Sequence, residues 1–133
     1  MTITTDMRND IIEQLKACEF RALCDKYFGN DFLWTIRGSS ELSGTYTDID
    51  DFFDNIIARL NALLLPGWKM HILDTFVDGD TMIVEMKGEV TAKSGNDYNN
   101  EYCWIFKFGD GVLKSITAYY DSLLVNKTLA ENE

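Results

Sequence analysis

From Trp68 onward the apolar residues recur with a period of two instead of three or four, and this change restricts the fold more than any other feature. Three turn signals, Asp78-Gly79-Asp80, Ser94-Gly95-Asn96-Asp97 and Gly109-Asp110-Gly111, divide the remainder into four strand-length runs. The expected strands cover about 68–77, 81–93, 98–108 and 112–121. Asp-Gly suits a tight hairpin, because glycine accepts the positive φ that such turns demand. An antiparallel meander is therefore predicted. Its last pair, from Glu101 to Asp121, is rich in aromatic and β-branched residues and ends on a carboxylate beside Tyr119 and Tyr120.

The residues before Trp68 read as helices around one short strand. With Asp6 as cap, Met7, Ile11, Ile12 and Leu15 fall on one stripe. A second helix is expected over about 19–27, stopped by Gly29 and Asn30. The run from Phe32 to Arg37 is a strand candidate, broken by Gly38, Ser39 and Ser40. Thr47 or Asp48 then caps the clearest helix, and Asp50, Asp51 and Asp54 crowd the end where the helix dipole favours negative charge. Ile49, Phe52, Phe53, Ile56, Ile57, Leu60, Leu63 and Leu64 give it a wide apolar face, ended by Pro66 and Gly67. The segment after Asp121 can form a short helix that frays into an acidic tail.

This order predicts an α+β fold, one domain over residues 1–133, with helices packed on a curved, mainly antiparallel sheet. Strands this long must bend, and the hollow between a bent sheet and its helices is a natural pocket. Twelve Lys and Arg against 22 Asp and Glu leave a net charge of -10. That balance opposes attraction to phosphate backbones and anionic membranes, so neither nucleic acid nor membrane is an expected partner. Cys18, Cys24 and Cys103 form no close Cys-x-x-Cys pair, and no basic and apolar leader or membrane-length run is present. A cytoplasmic protein with reduced thiols is the expectation.

Two strings carry a resemblance: WTIRGSSELSGTY, from Trp34 to Tyr46, and NNEYCWIFKFGDGVLKSITAYYDSLLV, from Asn99 to Val125. They resemble the SnoaL-like branch of the superfamily that includes nuclear transport factor 2, ketosteroid isomerase and polyketide cyclases. The resemblance implies a cystatin-like cone and a homodimer paired through the sheet. Matching the first string to the isomerase puts Thr35 at the position of its base, with Ile12 near its tyrosine and Trp104 near its second acid. None of these side chains can do the corresponding work, which argues against steroid isomerisation. The cyclase comparison instead puts an acid/base aspartate at Asp121. An epoxide-hydrolase set finds only partial pieces, in Arg37 and Asp121.

Asp121 is thus the candidate catalytic residue, with capping of the helix from Ser122 as the other reading. Trp34, Tyr46, Trp104, Tyr119, Tyr102 and His71 are the candidate ligand-binding residues. The aromatics could equally be plain core, and a lone histidine is more often a surface or satisfied core residue. The Asp48–Asp54 cluster lacks the spacing and closing Glu of a calcium loop, so no metal is implied, and no organic cofactor either. The expected function is a small-molecule pocket protein for an apolar carbonyl compound. It would be isomerase- or cyclase-like, or else a non-catalytic binding or dimeric interaction module.

Overall fold

The computed structural model describes residues 3–133. Thr4, and not Asp6, caps α1 (Thr5–Lys16): its hydroxyl accepts the Met7 N–H at 3.2 Å, which leaves Asp6 in the first turn. Ile11 and Leu15 are the fully buried residues of the stripe. α2 (Phe20–Tyr27) buries Phe20, Leu23 and Cys24. β1 (Trp34–Ile36) is followed by β2 (Gly44–Tyr46), a strand inside what the sequence reads as a polar loop.

The long helix begins at α3 (Ile49–Asp51), where the Asp48 side chain accepts the Asp51 N–H at 3.1 Å. It passes through a π-helical segment, Phe52–Ile57, and ends as α4 (Ala58–Asn61). Leu63 in the turn after the helix and Leu64, bridged to Ala92, still reach the core. Four strands follow: β3 (Lys69–Asp78), β4 (Thr81–Glu89), β5 (Glu101–Gly109) and β6 (Val112–Tyr120). Residues 90–100, expected as strand on both sides of a turn, hold only isolated bridges. α5 (Ser122–Asn132) runs to the C-terminus as a full helix instead of fraying.

The strands form one sheet in the order β2-β1-β6-β5-β4-β3, antiparallel except where β1 lies parallel to β6. Asp110 (φ 53) and Gly111 (φ 81) make the two-residue loop between β5 and β6, with both φ positive as a type I′ turn requires. Two irregularities bend the sheet, one at Leu73 in β3 and one opposite Lys107 and Phe108. The concave face carries Met82, Val84, Met86, Tyr102, Trp104, Phe106, Ile116 and Ala118, all buried under the helices. A second cluster, with Leu42, Leu60, Leu63, Val90, Tyr98, Val125 and Leu129, seats α5. The fold class is the expected α+β cone.

Asn100, fully buried, joins the start of β5 to the end of β6. Its Oδ1 accepts the N–H groups of Glu101 (2.8 Å) and Asp121 (2.9 Å), and its Nδ2 donates to the Tyr98 hydroxyl (3.1 Å) and the Asp121 carbonyl (3.2 Å). Deleting the amide would orphan several buried groups at once, at ~1–3 kcal/mol each. Asn100→Ala is therefore expected to cost roughly 3 kcal/mol or more, read as a lowered urea midpoint with an unchanged slope.

Candidate functional site

Between the concave face and the helices lies a cavity of about 40 Å³. Such a space holds roughly three waters. Pockets for larger ligands span about 300–1,000 Å³, so most of the hollow is occupied by the protein's own side chains. Its walls come from the sheet (Trp34, Ile36, Tyr102, Trp104, Ala118, Tyr120), from α2 (Phe20), from the long helix (Phe52, Ile57, Leu60) and from Trp68. The rings interlock: Trp34 stacks on Phe52 at 4.7 Å and meets Trp104 edge-on at 5.0 Å, and Phe20 packs on Trp68 and Trp104.

Tyr102 and Tyr120 are the titratable groups among these lining residues. Burial, reinforced by the neighbouring Tyr98, holds the Tyr102 hydroxyl well above the usual phenol range. Burial also raises Tyr120, whose hydroxyl shares a 2.7 Å hydrogen bond with Ser40 in the Gly-Ser loop. Both stay protonated at neutral pH. The cavity surface is almost wholly apolar, and the indole N–H groups of Trp34, Trp68 and Trp104 are buried in the surrounding packing with no hydrogen-bond partner. The Tyr102 hydroxyl is likewise buried without a well-formed hydrogen bond. Leaving a buried donor unpaired costs ~1–3 kcal/mol.

Trp34, Trp104 and Tyr102 of the expected set meet here. Four others lie elsewhere: Tyr119 and Tyr46 correct the sequence reading, while Asp121 and His71 take the alternatives it left open, a helix cap and a surface residue. Asp121 is exposed and outside the cavity, and its Oδ1 accepts the Leu124 N–H at 3.2 Å as the cap of α5. Tyr119 is 47 % exposed on the outer face, because alternation along β6 turns Ala118 and Tyr120 inward and Tyr119 outward. His71, also on the outer face, pairs with Glu89 across 3.0 Å. Tyr46 packs on Phe52 at 5.1 Å, but its hydroxyl donates to the Leu42 carbonyl at 2.6 Å and does not point into the hollow. Among the described residues no group of three His, Cys, Asp or Glu side chains is placed to hold a metal.

Sequence reasoning missed Trp68, Phe52, Ile57 and Tyr120 as lining residues. Alternation already placed Tyr120 with Ala118, so its inward face was legible. Phe52 and Ile57 are five residues apart, the spacing a π-helix stacks and a regular α-helix does not. Gly88 was missed as well. A Cβ there would stand 2.9 Å from Trp68 Nε1 and 3.4 Å from the Tyr102 ring, so glycine makes room for both walls.

No protein-family model matches the sequence, and no curated protein matches it. Solved structures do. An NTF2-like protein from Burkholderia thailandensis superposes with a TM-score of 0.71 at 19 % identity, over 86 % of this chain and 88 % of its own. A SnoaL-like polyketide cyclase candidate from Mesorhizobium loti gives 0.71 at 18 % identity, over 90 % and 100 % of the two chains. TerC, co-crystallised with polyporic acid, gives 0.69 at 16 % identity, over 89 % and 91 %. The chain therefore has the NTF2-like fold that it shares with SnoaL-like proteins. At these identities the likeness extends to the fold alone.

Gly88→Ala tests how tightly the cavity wall is packed. The added methyl is expected to displace the Trp68 indole and cost ~1–3 kcal/mol, with a changed near-ultraviolet circular dichroism spectrum.

Proposed function

We propose that this chain is a small-molecule pocket protein that encloses one compact apolar ligand, without proton transfer by Asp121. The observation that carries this reading is the composition of the cavity: aromatic and aliphatic walls with no carboxylate, histidine or cation among the lining residues. A general base must reach the proton it removes and must titrate near the working pH. Two buried, protonated tyrosines do not meet that need. Of the two expectations, the non-catalytic binding module is therefore favoured over an isomerase- or cyclase-like enzyme. The TerC complex with polyporic acid supports a small organic molecule as the kind of occupant this fold accepts.

The outer face supports a homodimer. Phe76, Ile83, Ile105, Thr117 and Thr35 form one row across the sheet, with Leu73, Cys103 and Tyr119 beside it. Leu73 and Phe76 are each 55 % exposed. Exposed apolar residues gathered on the outer face suit a self-complementary interface. A cytoplasmic location accords with the free thiols of Cys18, Cys24 and Cys103.

Two measurements test these readings. All three tryptophans line the cavity, so titration with benzene, which Phe20 or Trp68 must move aside to admit, is expected to change their emission saturably and to raise the melting temperature. Asp121→Asn, which keeps a good helix cap, should bind equally well. Loss of binding in that variant, or no saturable binding by the wild type, would overturn the pocket reading. By light scattering the wild type should show twice the 15.2 kDa chain mass at micromolar concentration, and Phe76→Glu the single mass. A monomeric wild type would remove the dimer.

A further inference from the structure

We infer, resting on the homodimer reading above, that two symmetric ion pairs fix how the copies meet: Arg37 of each chain docks on the partner's Glu85. The chain holds 22 acidic residues against 12 basic ones, so an arginine without a carboxylate is unexpected. Arg37 is such a residue. It is exposed just past β1, and among the described residues it enters no ion pair. Ile36 is buried, so alternation turns the next side chain to the outer face. There Arg37 borders a shallow hollow with Thr35, Ser43 and Thr45, none of which carries a charge.

The opposite imbalance stands on the same row of the sheet. Strand register carries that row from Asp74 to Glu85, Cys103 and Tyr119, and Arg37 follows beside Tyr119, one residue past the Ile36–Ala118 pairing. Asp74 and Glu85 are directly opposed on neighbouring strands, an arrangement of like charges that costs stability. Among the described residues neither enters an ion pair, although Asp74 Oδ1 accepts the Thr75 N–H at 2.8 Å. Glu85 also borders an outer-face hollow of about 420 Å³ whose charged lining residues, Glu85, Glu101 and Asp121, are all carboxylates. One end of the row thus carries two acids without a base, and the other a base without an acid.

A two-fold dimer turns this imbalance into complementarity, because a self-complementary interface makes every contact twice, with the roles of the copies exchanged. β1 and β4 are separated by β6 and β5. An axis lying along the strands between β5 and β6 therefore sets β1 of each copy over β4 of the other. Sheets packed face to face keep their strands roughly aligned, as that axis requires. Arg37 then falls on the partner's Glu85, next to the partner's Asp74. On the apolar row the same axis sets Ile105 against the partner's Thr117 and Ile83 against the partner's Thr35. A guanidinium can take a carboxylate with two parallel hydrogen bonds. A small cation would satisfy the acids and leave Arg37 alone, and a small anion would do the reverse. A second copy satisfies both at once.

Charge reversal tests the pairing, with mass read by light scattering at micromolar concentration. Arg37→Glu sets acid against acid at both pairs, and Glu85→Arg sets base against base. Each variant is expected to weaken the dimer about 100-fold or more and to show the single mass of 15.2 kDa. Mixed in equal amounts, the two variants form opposite-charge pairs at both places in a heterodimer and should return to twice that mass. The double variant Arg37→Glu/Glu85→Arg should dimerise by itself. Both residues are exposed, so far-ultraviolet circular dichroism should be unchanged. Should one single variant fail to fold, the other and the double variant decide. Single variants that stay dimeric would overturn the pairing and leave the dimer intact. Monomeric single variants that do not recombine, or a monomeric double variant, would overturn it as well. A monomeric wild type would remove both the pairing and the dimer on which it rests.

Discussion

The packing of the Trp34 indole is the contact on which the two layers of this fold depend. It lies flat on Phe52 of the long helix and meets Trp104 of β5 edge-on. Aromatic pairs of this kind are worth ~0.5–1.5 kcal/mol each beyond the area they bury. β1 is only three residues long and has a parallel neighbour, a pairing slightly weaker per residue than the antiparallel kind. Its hydrogen bonds alone would hold it poorly. The indole fastens it from above, to the helix and to the middle of the sheet at once. Ala118, opposite both Ile36 and Trp104, is small enough to leave space where the rings converge. That space is the cavity.

The π-helical segment follows from the same packing. A regular helix would present Phe52 and Ile56 to the hollow, one turn apart. The wider π turn brings Phe52 and Ile57 to the cavity wall instead. Such segments recur at functional sites because they re-aim side chains without ending the helix. Here the result is a wall that closes on an apolar space and presents no charge to it.

Asp121 shows why likeness of sequence and likeness of site differ. By alternation, an inward Tyr120 makes the next residue outward, and at that point the chain leaves the sheet. Asn100 grips both backbone groups of Asp121, and its carboxylate turns to the first free N–H groups of α5. The position therefore serves the junction between strand and helix. Helix capping is the role the geometry shows for it.

Local chemistry alone determined a good deal. The four meander strands, the Asp110-Gly111 turn, the Asp48 cap and the stop of α2 all follow from patterns that act within a few residues. The α+β class followed from their order. Trp34, Tyr102 and Trp104 could be named because aromatic residues on strands mark a buried face. Decisions that hang on contacts between distant segments were out of reach. β2 forms because β1 is there to pair with it, and 90–100 leaves the sheet because Asn100 and the seat of α5 take its place. The π turn, the need for glycine at position 88 and the facing of Tyr119 and Asp121 likewise depend on what packs opposite. Sequence periodicity can tell which residues avoid water. Only the assembled layers decide that three indole N–H groups end up buried with nothing to accept them, because an unpaired donor is defined by every neighbour it does not have.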